Sequence, residues 1–237
     1  METLYLICFS FLTSTFTGVI GMGGGIMLIS VMPGLIAPAA IIPVHGVVQL
    51  ASNCSRVALG LRHMQWMILW PFLGGSVVGA LLGSRIVVRL DPDIMTLTLG
   101  VFILLAVWVP IPQGNFRLPG HFAVLGALQT GLSLFVGATG PVTNAFLLRQ
   151  GLSKDRLVIT AGLLMMVTHL LKIVVFGMIG FAFAPYLPLI AGMIVAVTLG
   201  SFVGTRLRGR LSEALFRKVF KVLVTVLALR LIINALI

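Results

Sequence analysis

Two glycine-rich interruptions constrain this chain more than any other feature. Gly21-Met22-Gly23-Gly24-Gly25 and Gly137-Ala138-Thr139-Gly140-Pro141 each sit inside a long apolar run. Four glycines in five positions disfavour a continuous helix, since each costs about 1 kcal/mol relative to alanine. In lipid the unwound backbone has no water to bond, so such a break is tolerated only where it packs in protein or lines a cavity. Breaks at matching places in two halves of a membrane chain point to a transporter's binding site.

The lipid setting follows from composition. The 237 residues are 59% hydrophobic and only 9% charged, against about 25% charged in a soluble domain. Several apolar stretches pass the length of a transmembrane helix. The expected fold is an all-α polytopic membrane protein, with no separate soluble domain. A formal net charge of +11 would suggest nucleic acid in a soluble protein. Here the basic residues cluster at the ends of apolar spans, so they read as topogenic charges and no nucleic-acid partner is expected. Cys8 and Cys54 lie in apolar runs and read as small buried residues, without a disulfide or metal role. The N-terminal apolar stretch lacks a basic leader and carries Glu2, so residues 4–20 read as a retained helix.

The predicted helices are 4–20, resumed over 26–36 after the first break, then 40–59, 66–84 and 93–109. Trp66 and Trp70 suit an interfacial anchor. Asp91-Pro92 forms an N-cap and N1 pair. The plan then repeats: 119–136, the second break, 142–150, 157–178, 188–205 and 213–235, with Ser212 as a cap for the last. Gly79-Ala80-Leu81-Leu82-Gly83-Ser84-Arg85 matches Gly200-Ser201-Phe202-Val203-Gly204-Thr205-Arg206. Counted from the breaks, Asn53 falls opposite His169 and Arg56 opposite Lys172. This reads as an internal duplication of about 115–121 residues, dividing the chain into repeats 1–112 and 113–237. Each half has about four helical segments, the first broken at its glycine motif. The Gly-x-x-x-Gly pieces allow close helix packing in lipid.

Charge does not fix the topology. If the broken elements cross the bilayer, there are eight spans and parallel repeats. If they are re-entrant, each half crosses three times and the repeats are inverted. Eleven basic residues face inside either way. Inverted repeats bring the two breaks together at mid-membrane, which favours the inverted arrangement.

All five carboxylates (Glu2, Asp91, Asp93, Asp155 and Glu213) fall at helix ends or loops, whereas Arg56, Lys172 and Arg230 lie near or within spans. A charge buried in lipid is expensive and is usually paired or functional. With no anion nearby in sequence, the economical partner for Arg56 and Lys172 is an anionic substrate. The alternative is that both snorkel to the headgroups. His45, Gln49, Asn53 and Arg56 recur along one helix face, and Thr168 and His169 precede Lys172. His45 and His169 read equally as site donors or core histidines, whereas His63 and His121 read as interfacial. An unwound turn before a helix N-terminus adds free N–H groups and partial positive charge. Gly21, Gly23, Gly24 and Gly25 in the first break, and Gly137, Thr139 and Gly140 in the second, supply it, with Asn144 beside them. The candidate substrate site is therefore these seven positions with Gln49, Asn53, Arg56, Asn144, His169 and Lys172. No catalytic or metal-ligand constellation is present in the sequence, so neither an enzyme nor a cofactor is expected.

The two glycine motifs and Thr168-His169-Leu170-Leu171-Lys172 resemble the sulfite exporter TauE/SafE family of membrane permeases, over almost the whole chain. The resemblance implies a multi-pass permease of the bacterial inner membrane for sulfite, sulfonates or similar small anions. The second motif departs from a glycine run, and Thr139 is where selectivity would differ. The leading expectation is an exporter working by alternating access, in contact with lipid and compatible with a homodimer. An anion channel, an uptake permease for another sulfur-containing or carboxylate anion, and a membrane-embedded enzyme or assembly subunit are the alternatives.

Overall fold

A computed structural model describes residues 1–87, 92–109, 120–207 and 213–236. The ten α-helices among the described residues are α1 (Glu2–Ile20), α2 (Gly24–Val31), α3 (Pro38–Ala58), α4 (Trp66–Val87), α5 (Pro92–Trp108), α6 (His121–Val136), α7 (Gly140–Leu148), α8 (Lys154–Met178), α9 (Leu187–Leu207) and α10 (Glu213–Leu236). The predicted elements are all present. The resumed helix α2 is shorter than expected, because Pro33 and the left-handed Gly34 turn the chain after Met32. Asp91 and Ser212, expected as caps, lie outside the described residues. Four helices, among them α1 and α4, are long and apolar enough to span a bilayer. The outer face of α4 exposes Val77, Val78, Leu81 and Leu82, as a lipid-facing helix does.

At both breaks the chain folds back. Gly21 and Gly23 take φ of 94° and 98°, a left-handed region that a Cβ disfavours. After that turn the Gly24 amide donates to Thr17 Oγ1 at 2.9 Å. A Cβ on Gly24 would strike the Thr13 carbonyl and Thr17 Oγ1, so α2 begins against the flank of α1. The second break turns at Gly137, φ 70°. There Thr143 Oγ1 donates back to Gln129 Oε1, tying α7 to α6.

Small residues set the long-range packing. α1 lies along α9: Gly192 meets Ile7, Gly200 meets Phe11 and Ser14, and Gly204 meets Thr15 and Gly18. α6 lies along α4 in the same way: Gly75 meets Ala123, Gly79 meets Ala127, and Gly83 meets Leu134. Several of these are backbone contacts that a side chain would prevent, which is how helices gain dispersion where lipid removes the hydrophobic drive. Both pairs run parallel. α3 and α8 run antiparallel, with Gly46 against Lys172 and Ile173, and Gly162 against Val57 and the Asn53 backbone. Ser14 bonds Ser52 at 3.1 Å and Ser201 at 2.8 Å, and Thr130 pairs with Thr168 at 3.4 Å.

Cys8 and Cys54 correct the sequence reading. Both are free and exposed, not buried. α1 and α3 turn their hydroxyl and amide faces inward (Ser10 and Ser14, Ser52 and Asn53), which sends the thiols to the outer side.

Candidate functional site

α3 and α8 carry the site because their facing sides, and both backbone breaks, converge on one cavity of about 50 Å³. Of the residues expected there, Gly21, Gly23, Gly25, Gln49, Asn53, Arg56, Gly140, Asn144 and His169 line it. No acidic residue is among its lining residues. Arg56 is 3% exposed, so its guanidinium does not snorkel to the headgroups. It donates to Asn53 Oδ1 at 3.3 Å and to Ser52 Oγ at 3.1 Å. Ser52 in turn belongs to the hydroxyl cluster between α1, α3 and α9, so the position of the cation is coupled to helix packing. Asn53 is oriented by its own donation to the Gln49 carbonyl at 2.7 Å.

Four expected residues stand behind the cavity instead of on its wall. Gly24 is packed against α1. Thr139 is fully buried, and its hydroxyl has no hydrogen-bond partner among the described residues. Lys172 is also fully buried, but its ammonium is directed at the second break. It donates to the Gly137 carbonyl at 2.5 Å and lies 3.4 Å from His169 Nδ1. Gly137 thus serves the site through its carbonyl and its left-handed turn, with Ile29 and Ile42 filling the space beside its α-carbon. Arg230 is exposed on α10 and is not a lining residue.

The remaining lining residues complete a pattern. His45 lines the cavity with Nε2 2.9 Å from the Gly25 carbonyl, and its ring meets His169 edge to face at 5.8 Å. Ala161 and Met165 line the opposite side. In the register that pairs Asn53 with His169, they fall opposite His45 and Gln49. Extending that register two turns along α8 would have found them from sequence. Thr17, one turn before Gly21, lines the cavity too, and Met22, Ile26, Ala138 and Pro141 close it.

A second recess of about 200 Å³ adjoins the first. Met22, Gly23 and Pro141 line both. Its other walls are Phe16 and Ile20 of α1, Ala106 and Val107 of α5, and Lys221 of α10. Lys221 sits over the Trp108 ring at 5.2 Å, and Trp108 Nε1 donates to Thr225 Oγ1 at 2.8 Å.

This arrangement can hold a small anion. It offers a buried guanidinium, side-chain amides and backbone at a broken helix, with no competing carboxylate on the lining. No curated protein and no solved structure matches the chain. The family description "Sulfite exporter TauE/SafE" matches residues 6–231. With the paired glycine breaks, the apolar helices and a cationic cavity between them, the chain belongs to the TauE/SafE family of membrane transporters.

Proposed function

We propose that the protein exports sulfite or a similarly small sulfur oxyanion across the bacterial inner membrane by alternating access. The observation that carries this reading is the buried Arg56 guanidinium on a cavity formed by both helix breaks, with no carboxylate among its described lining residues. A guanidinium beside side-chain amides and the backbone of a broken helix is a donor set suited to an anionic cargo. A cavity of about 50 Å³ suits a ligand of a few heavy atoms.

The repeats 1–112 and 113–237 act as inverted halves in this reading. Support comes from the antiparallel run of the equivalent helices α3 and α8 and from the fold-back at both breaks. The recess shared through Met22, Gly23 and Pro141 serves as one access route. Rocking of α1–α9 against α4–α6 would open one side and then the other. The membrane potential, negative inside, drives a monoanion outward by about 2.3 kcal/mol per 100 mV, so export needs no coupled ion.

The test is efflux of sulfite from proteoliposomes of the purified chain under an imposed potential. Saturable, potential-driven efflux that Arg56→Gln abolishes is expected. Undiminished efflux in that variant would refute the assignment.

A further inference from the structure

We infer that the cavity takes its oxyanion in the singly protonated, singly charged form, recognising the remaining proton as well as the negative charge. This rests on the reading of the cavity as an oxyanion site. Arg56 has only donors to offer. Two other lining side chains carry a buried acceptor without a partner among the described residues. Asn144 donates its amide Nδ2 to the Gly140 carbonyl at 3.1 Å. The reversed amide would set oxygen against oxygen, so the carbonyl of this side chain is the free end. That Oδ1 has no partner among the described residues, and Asn144 is 4% exposed. His45 tells the same story from the other half. Its Nε2 faces the Gly25 carbonyl, which only accepts, so Nε2 carries the hydrogen. In the neutral ring Nδ1 then holds a lone pair, and it too is buried without a partner among the described residues.

A cavity built for a fully ionised oxyanion would have no use for acceptors. A lone pair turned toward a fully ionised oxyanion gains no bond and meets like charge. A hydrogen oxyanion resolves the mismatch: its charged oxygens take Arg56 and its O–H takes Asn144 Oδ1 or His45 Nδ1. Export would then carry one charge and one proton outward together.

The experiment is titration calorimetry of the purified full-length chain with sulfite and with methanesulfonate across a pH series spanning sulfite's last ionisation. Methanesulfonate stays a monoanion without an acidic proton. The titratable and charged groups around the cavity are His45 and Arg56 from α3 and His169 and Lys172 from α8. Their titration acts on both ligands and cancels in the ratio of affinities. The apparent Kd for total sulfite is expected to weaken about tenfold per pH unit above that ionisation, relative to methanesulfonate. In Asn144→Leu or His45→Phe, at least one variant should lose most of sulfite's advantage over methanesulfonate at low pH, roughly tenfold. A ratio independent of pH, or one that favours sulfite as pH rises, overturns the inference and leaves the oxyanion site standing. A ratio unchanged in both variants also overturns it. Failure of either anion to bind at any pH removes the oxyanion reading and this inference with it.

Discussion

The face of α3 and the equivalent face of α8 meet the same cavity, yet they contribute differently. α3 presents His45, Gln49, Asn53 and Arg56, all polar and all lining. α8 presents Ala161 and Met165 where α3 has His45 and Gln49, and its cation, Lys172, is withdrawn to clamp the Gly137 carbonyl. In the proposed reading the two helices divide the labour: α3 supplies the charge that meets the ligand, and α8 supplies shape and the fastening of a backbone break. The breaks differ to match. The first turns through two left-handed glycines and then packs Gly24 on α1, so its conformation is fixed by steric fit. The second turns through Gly137 alone and is held by an ammonium.

Substitutions can break or sharpen this contrast. The largest effect is expected from Arg56→Gln, which removes the one cation on the lining. Loss of a buried charge partner costs about 2–5 kcal/mol, so sulfite affinity measured by calorimetry should fall by roughly thirtyfold or more. Next come the glycines. Gly24→Ala would drive a methyl into the Thr13 carbonyl, where backbone must shift. A loss of about 1–3 kcal/mol in stability is expected, as in an overpacked core. Gly140 at the matching place has open space at its Cβ position. Gly140→Ala should be neutral or stabilising by up to about 1 kcal/mol. Equal losses in the two variants, measured by thermal unfolding in detergent, would erase the proposed difference between the breaks.

Lys172→Met tests the fastening role. It leaves the Gly137 carbonyl without its charged donor, which should lower stability by about 1–3 kcal/mol, partly offset because a buried charge is also removed. Ligand affinity should fall less than in Arg56→Gln. A larger affinity loss in Lys172→Met would reverse the roles assigned to the two cations.

Much of this architecture was legible in the sequence. Hydropathy and proline located the α-helices among the described residues, and the glycine spacing announced the breaks and marked α4 and α9 for close packing without naming their partners, α6 and α1. The polar face of α3 was readable from its helical period. What could not be read was direction. Arg56 and Lys172 occupy equivalent positions, but the second break offers Lys172 a bare carbonyl within reach, and that tertiary contact decides where the ammonium goes. The thiols were misjudged because a hydropathy pattern reports burial from water and cannot separate lipid from protein. Charge bias could not choose between crossing and fold-back, since both leave the same number of basic residues inside. The hydrogen bond from Gly24 to Thr17 does bear on that choice, and it depends on a side chain that sequence reasoning passed over.

The pairing of α1 with α9 has a consequence for biogenesis. The face of α1 that carries Phe11, Thr15 and Gly18 packs on Gly200 and Gly204 of α9, far later in the chain. At roughly 5–20 residues per second of synthesis, that face waits on the order of ten to forty seconds in the insertion machinery or in bare lipid. Two fragments divided between α5 and α6 should therefore be unstable when made singly and recover sulfite efflux when made together. The nascent protein is in effect a clasp whose first hook is cast long before its eye.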